Sequence, residues 1–158
     1  MKLTNEGLRD TAAWQKAGVA LPVYNREQMV RATEENPVWV HFGAGNIFRG
    51  FIAGLQQRLL NKRLTDRGII AAETWDGEII DRIYAPYDSL TLMVSLRPDG
   101  GTDREVIASL AGGLKATPYE EKDWGELKRI FEQPSLQMVS FTITEKGYAL
   151  RDMKGEYF

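Results

Sequence analysis

The sequence predicts an α/β domain on a mostly parallel sheet, incomplete in its strands and carrying an inserted antiparallel hairpin. Three observations carry this expectation. Short apolar runs that read as buried strands, Val38 to Phe42, Gly68 to Glu73 and Leu136 to Thr144, alternate with segments of helical period. The first run passes through a tight glycine turn, Gly43-Ala44-Gly45, straight into an amphipathic segment, Asn46 to Lys62. Between Leu90 and Leu110, two strand-like runs flank Pro98-Asp99-Gly100-Gly101, a strong turn signal.

Residues 1–36 read as a helical leader and 37–158 as the sheet domain. Within the leader a short helix is expected around Thr11 to Lys16. A second runs from Arg26 to Glu34, capped by Asn25 with Gln28 three places on and stopped before Asn36-Pro37. After the glycine turn, Ile47, Phe51, Leu55 and Leu59 recur every four residues, with Phe48 and Ile52 beside them, and this face is expected to pack on the sheet while Gln56, Gln57, Arg58 and Lys62 fall elsewhere, the helix ending near Asn61 to Thr65. Gly68 to Glu73 is a continuous apolar run closed by an acid, as in a strand covered on both faces. Asp76 precedes Ile79, Ile80 and Ile83 at helical spacing, giving a short helix that ends before Ala85-Pro86. The hairpin arms are Leu90 to Leu96 and Glu105 to Leu110. Asp123 and Glu126 form a capping-box pattern ahead of the face Trp124, Leu127, Ile130 and Phe131, which Pro134 closes. Tyr148 to Arg151 and Glu156 to Phe158 read as arms of a last small hairpin. About four core strands result, against six in a complete double mononucleotide unit.

Composition removes several classes of function. With 20 basic and 22 acidic residues interspersed, there is no electrostatic footprint for a nucleic acid or a membrane surface. The absence of cysteine excludes a disulfide framework, a thiolate nucleophile and a thiolate metal site, and one histidine cannot build a His-rich zinc site. No metal is expected. The start, MKLTNEGLRD, has no apolar core of a leader peptide, and the chain reads as cytoplasmic.

The glycine turn carries the chemistry. Gly43 and Gly45 let backbone N–H groups approach a phosphate, and the positive end of the following helix dipole faces the same anion. The turn residues Gly43, Ala44, Gly45, Asn46, Ile47 and Phe48 are therefore expected to hold a dinucleotide pyrophosphate; the bland reading is an ordinary strand-to-helix turn. Phe48 stands where the GxGxxG pattern has its third glycine, which implies a wider gap between helix and strand or a ring that fills it. A mononucleotide P-loop fails, because Phe51 and Ile52 stand where Lys and Ser or Thr are required after Gly45 and Gly50. Arg49, in the first helical turn, either touches a phosphate or ribose or is a solvated helix arginine. Glu73 closes the second strand and is expected to bind the adenosine ribose hydroxyls, with Asp76 in reserve; a carboxylate there favours NAD over NADP.

His41 sits within the first strand and reads as a packed residue rather than a general base. Thr142, Thr144, Glu145, Lys146 and Tyr148 lie at the carboxyl end of the last core strand, the edge that faces the ligand crevice in open α/β sheets. Thr144 and Glu145 are the cofactor-contact candidates there, the alternative being a loop that opens the last hairpin. Lys146 and Tyr148 do not match the YxxxK spacing of short-chain dehydrogenases.

HFGAGNIFRGF, His41 to Phe51, together with SFTITEKGYAL, Ser140 to Leu150, resembles the N-terminal domain of the mannitol dehydrogenase family. These polyol-specific long-chain dehydrogenases include mannitol 2-dehydrogenase, fructuronate and tagaturonate reductases and mannitol-1-phosphate dehydrogenase. Gly43, Gly45 and Arg49 match the family's GxGxxxR pattern, and Phe48 replaces a glycine found in GAGNIGRGF of the mannitol-phosphate enzymes. The resemblance implies a Rossmann-type fold and, for the parent protein, hydride transfer between NAD and a polyol or sugar-acid carbonyl. It also implies a second, helical domain with a lysine general base in a KxxxxNxxH pattern. Neither that pattern nor the VDR segment between the domains occurs here, so no catalytic residue is expected in this chain and it should not catalyse the reaction alone. The alternative is a non-catalytic module that self-associates through an unpaired sheet edge.

Overall fold

The computed structural model describes residues 1–143, 150–151 and 155–157. Helix α1, Thr11–Lys16, is capped by Asp10, whose carboxylate accepts a hydrogen bond from Ala13 N. Helix α2, Arg26–Glu35, is capped by Asn25, whose Oδ1 accepts from Gln28 N at 2.9 Å. Both follow local sequence signals closely.

Strands β1 (Trp39–Phe42), β2 (Ile69–Glu73), β5 (Leu110–Lys115) and β6 (Met138–Phe141) form a parallel sheet in the order β5-β2-β1-β6. Strands β3 (Thr91–Leu96) and β4 (Thr102–Ile107) make a separate antiparallel hairpin. Successive crossovers from β1 run outward through β2 to β5, and the chain then returns to place β6 on the other side of β1. The order therefore reverses beside β1, which opens a crevice at the carboxyl ends of β1 and β6.

The second hairpin arm ends at Ile107, and Leu110 opens a separate parallel strand instead of closing that arm. Its Gly112-Gly113 pair hides the strand signal. Gly113 is needed there, because a Cβ would lie 2.8 Å from Tyr84 Cδ1 and 2.9 Å from Ile80 Cδ1.

The face assigned to the first crossover helix needs correction. Ile47, Phe51, Leu55 and Leu59 are exposed, and the buried residues are Phe48, Ala53, Gly54, Gln56, Gln57 and Leu60. A π-helical turn, Phe48–Ile52, precedes helix α3, Ala53–Asn61, and its wider winding shifts the phase of that helix. Gln57 then sets that phase with two hydrogen bonds at the β4–β5 junction. Its Nε2 donates to Val106 O at 2.8 Å and its Oε1 accepts from Ala108 N at 2.7 Å.

The second crossover likewise holds a π-helical turn, Ile80–Tyr84, and runs on into a 3-10 turn, Ala85–Tyr87. Pro86 thus sits inside a helical turn rather than beyond the end of one, as tolerated in a first turn whose N–H groups lack partners. Helix α4, Glu121–Phe131, begins before the expected capping box. Its N-cap is Glu120, and the Asp123 carboxylate instead accepts from Lys115 N at 2.8 Å, tying the helix to the end of β5. Strand β6 is shorter than the run Leu136 to Thr144, although Thr142 N still donates to Phe42 O at 3.0 Å. Of the last hairpin, Arg151 pairs antiparallel with Tyr157, while Tyr148 and Phe158 lie outside the described residues.

Alternation along β2 divides the core. Ile69 and Ala71 face a cluster with Phe48, Tyr84 and Leu110, whereas Ile70 and Ala72 face Val40, Leu127 and Ile130. The leader places Trp14 and Val19 on Val106 and Ala108 in a third cluster. Each fully buried Ile or Leu contributes about 1.5–3 kcal/mol, so the sheet is held from both faces.

Candidate functional site

The two glycines of the turn have different tasks. Gly43 has φ 106°, a Cβ there would collide with the Thr142 hydroxyl and lie 3.0 Å from the Thr142 carbonyl oxygen, and its N–H donates to Ala72 O at 2.9 Å. It must be glycine for the turn to close on β6. Among the described residues, Gly45 has no atom beyond its own chain neighbours within 4 Å of its ideal Cβ position. It borders a cavity of about 770 Å³ that Asn46, Ile47 and Phe48 also line, with Glu73, Thr74 and Trp75 on one wall and Phe141, Thr142 and Ile143 on another. This cavity is the crevice at the reversal point, and the helical segment that opens at Asn46, whose first N–H groups have no intrahelical partners, begins on its wall.

Glu73 organises the walls. Its Oε2 accepts from Ala44 N at 2.8 Å, and its Oε1 accepts from Trp75 N at 2.9 Å and Asp76 N at 3.2 Å. One carboxylate thus joins the glycine turn to the segment after β2, with acceptor capacity left for a further donor. Ala44 is fully engaged, because its carbonyl accepts from the Tyr84 hydroxyl at 3.2 Å. Burial pushes the Tyr84 phenol well above its ordinary pKa, with Arg49 acting against the shift and Glu73 adding to it, so it stays a donor.

Phe48 is fully buried and stacks on the His41 imidazole, with ring centroids 4.0 Å apart. The ring therefore fills the space that a third glycine would close. Burial lowers the His41 pKa from 6.5 to about 4, which leaves the ring neutral near pH 7. Trp39 Nε1 donates to Ser140 Oγ at 2.7 Å, leaving that hydroxyl to donate to His41 Nδ1, also at 2.7 Å. His41 Nε2–H then donates to Thr142 Oγ1 at 3.2 Å, and the Thr142 hydroxyl reaches Gly43 O at 3.5 Å. This tautomer satisfies every donor in the row.

Of the other sequence candidates, Arg49 lies away from the cavity. Its Nη2 donates to Asn46 Oδ1, its guanidinium sits 6.0 Å from the Tyr84 ring centroid, and its Nε and Nη1 are buried without a partner among the described residues. Asp76 is exposed and does not line the cavity; its N–H serves Glu73. Thr144 and Glu145 lie outside the described residues. Sequence reasoning missed Phe42, Trp75 and Phe141 as wall residues. Phe42 and Phe141 stack across β1 and β6 with centroids 5.1 Å apart, a pairing that only the register reveals. Trp75, two places after Glu73, was visible in the sequence as an aromatic just past a strand end. Among the described residues no group of His, Asp and Glu could hold a metal ion.

No protein-family model matches the chain. A D-mannonate oxidoreductase of Thermotoga maritima is 46% identical over 158 residues, covering all of this chain and 29% of that protein. A mannitol 2-dehydrogenase of Neosartorya fischeri is 30% identical over 151 residues, 94% of this chain and 28% of that one. Among solved structures, the ternary complex of Pseudomonas fluorescens mannitol 2-dehydrogenase with NAD and D-mannitol superposes with a TM-score of 0.74 at 26% identity, over 99% of this chain and 30% of that one. The chain thus spans under a third of the length of the curated relatives it matches.

Proposed function

Since the chain belongs to the mannitol dehydrogenase family, as the N-terminal Rossmann-type part of its members, we propose that it is the cofactor-binding part of an NAD-dependent oxidoreductase. The parent protein would interconvert a polyol or sugar acid and its keto form, of mannitol/fructose or mannonate/fructuronate type. The observation that carries this reading is Gly45, whose missing Cβ leaves open space at the mouth of a cavity at the sheet's reversal point.

In this reading the pyrophosphate lies against Gly45 and the N–H groups of Asn46 and Ile47, where the helix dipole offsets its charge. Gly43, Ala44, Phe48 and Arg49 shape and brace that turn. Glu73 accepts a ribose hydroxyl with its remaining capacity, and its charge opposes a 2′-phosphate, which favours NAD over NADP. Asp76 holds that segment, and Thr144 and Glu145 are further cofactor contacts. Bound NAD supplies the hydride acceptor, while the general base comes from outside this chain.

Calorimetry with NADH and NADPH on the chain is expected to give weak binding of NADH and weaker binding of NADPH. For the full-length protein, failure to oxidise NADH with fructose, fructuronate or tagaturonate would sink the reading. A cytoplasmic location belongs to the same proposal, supported by the cysteine-free, evenly charged composition, and fractionation of cells making the full-length protein tests it. Among the described residues β6 is an edge strand with no partner on its outer side, which favours a self-associating module; the relatives favour the oxidoreductase, and a clean monomer in light scattering at high concentration would discard the module.

A further inference from the structure

Every backbone polar group from Gly43 to Gly45 is engaged among the described residues, with a single exception. Gly43 N–H donates to Ala72 O, and Gly43 O accepts from the Thr142 hydroxyl. Ala44 N–H donates to Glu73, Ala44 O accepts from Tyr84, and Gly45 O accepts from Arg49 N at 3.0 Å. The exception is the Gly45 N–H, which has no partner among the described residues. It shares a peptide plane with the Ala44 carbonyl, and in a trans peptide the two groups point in opposite directions. A donor that fixes one end of this unit therefore fixes the other. The Tyr84 hydroxyl is that donor, 3.2 Å from Ala44 O. We propose that Tyr84 is a positioning residue for the diphosphate: through the Ala44 carbonyl it aims the Gly45 N–H at a phosphate oxygen without touching the ligand. The inference rests on the dinucleotide reading and deepens it.

The ring is seated so as to hold that aim. Tyr84 ends the π-helical turn Ile80–Tyr84, is 2% exposed and packs in one cluster with Phe48, Ile69 and Leu110. It lies so close to β5 that a Cβ at Gly113 would come within 2.8 Å of its Cδ1. A ring packed this tightly keeps its hydroxyl in one place. Gly45 lines the crevice and Tyr84 does not, which separates the residue that meets the anion from the residue that directs it. Burial raises the phenol's pKa, and the Arg49 guanidinium, 6.0 Å from the ring centroid, acts against that rise and so favours donation by the hydroxyl. Accepting the bond polarises the Ala44–Gly45 peptide, which strengthens the Gly45 N–H as a donor in its turn.

A buried tyrosine hydroxyl needs some acceptor, and a merely structural bond would meet that need without affecting a ligand. Tyr84→Phe, which keeps the ring and removes the donor, separates the two roles. Calorimetry on the 158-residue chain is expected to show NADH bound about tenfold more weakly by the variant, the effect of one well-aimed hydrogen bond to a charged group. A structural role alone would lower the unfolding midpoint and leave NADH affinity as it was. In amide NMR spectra NADH should draw the wild-type Gly45 proton downfield as it meets the phosphate. Equal NADH affinity in a folded Tyr84→Phe chain would overturn the inference and leave the dinucleotide reading standing. So would a wild-type Gly45 amide that bound NADH leaves unmoved, a result that holds even if the variant fails to fold. A wild-type chain that binds no NADH would sink both together.

Discussion

The His41 imidazole and the Phe48 ring stack with their planes 6° from parallel and their centroids 4.0 Å apart. One ring comes from the middle of β1 and the other from the π-helical turn after the glycine loop, so the pair fixes how far the helix stands from its own strand. A glycine at position 48 would let the two approach; here a ring and an imidazole occupy the gap instead.

Removing that ring should be expensive. Phe48→Ala deletes a fully buried side chain from the core beside Tyr84 and Ile69, and a loss of about 3–5 kcal/mol is expected. Urea unfolding measures it, and a loss below about 1 kcal/mol would mean that the helix simply closes onto the strand.

His41 also makes stability depend on pH. Its pKa is lowered from 6.5 to about 4, so between those values the unfolded chain takes up a proton that the folded chain refuses. Stability is therefore complete above about pH 6.5 and falls as the pH drops toward 4, by a few kcal/mol at most. Comparing wild type with His41→Gln between pH 6.5 and 5 isolates the effect from most carboxylates; equal slopes would contradict it.

The two glycines should separate folding from binding. Gly43→Ala forces a Cβ onto Thr142 at a positive φ and is expected to destabilise the chain by about 1–3 kcal/mol. Gly45→Ala meets open space and should leave the unfolding midpoint unchanged, while weakening NADH about tenfold by placing a methyl group in the cavity. Normal NADH affinity in a folded Gly45→Ala chain would argue against a phosphate at that turn.

Glu73 has a structural and a selective task. Glu73→Gln puts an amide where three backbone N–H groups need acceptors, and a loss of about 1–3 kcal/mol is expected. The same change removes the charge that opposes a 2′-phosphate, so the ratio of NADPH to NADH affinity should rise. A ratio identical to wild type would leave Glu73 with the structural task alone.

What the sequence made legible was mostly local. Asn25 and Gln28 cap α2 because capping depends on residues three apart, and the apolar run closed by Glu73 marks β2 because burial on both faces leaves no alternation. The phase of α3 was not legible. Its i,i+4 apolar row suggested one face, but the π-turn and the hydrogen bonds of Gln57 to Val106 and Ala108, about fifty residues on, chose another. Likewise Glu73 could be placed beside the cavity from its position, whereas its grip on Ala44 needed the turn's three-dimensional path. For Phe48 the sequence left a wider gap and a gap-filling ring as alternatives, since its stacking partner His41 is on the strand before the turn.

Trp75 gives the cavity an optical consequence. Its indole is 95% exposed on the cavity wall, whereas Trp14 is 3% exposed beneath the leader. Emission from the wall tryptophan should be quenched readily by iodide and lie to the red, while Trp14 stays shielded and blue. Protection from iodide on adding a ligand would therefore report entry into the crevice directly, without a label.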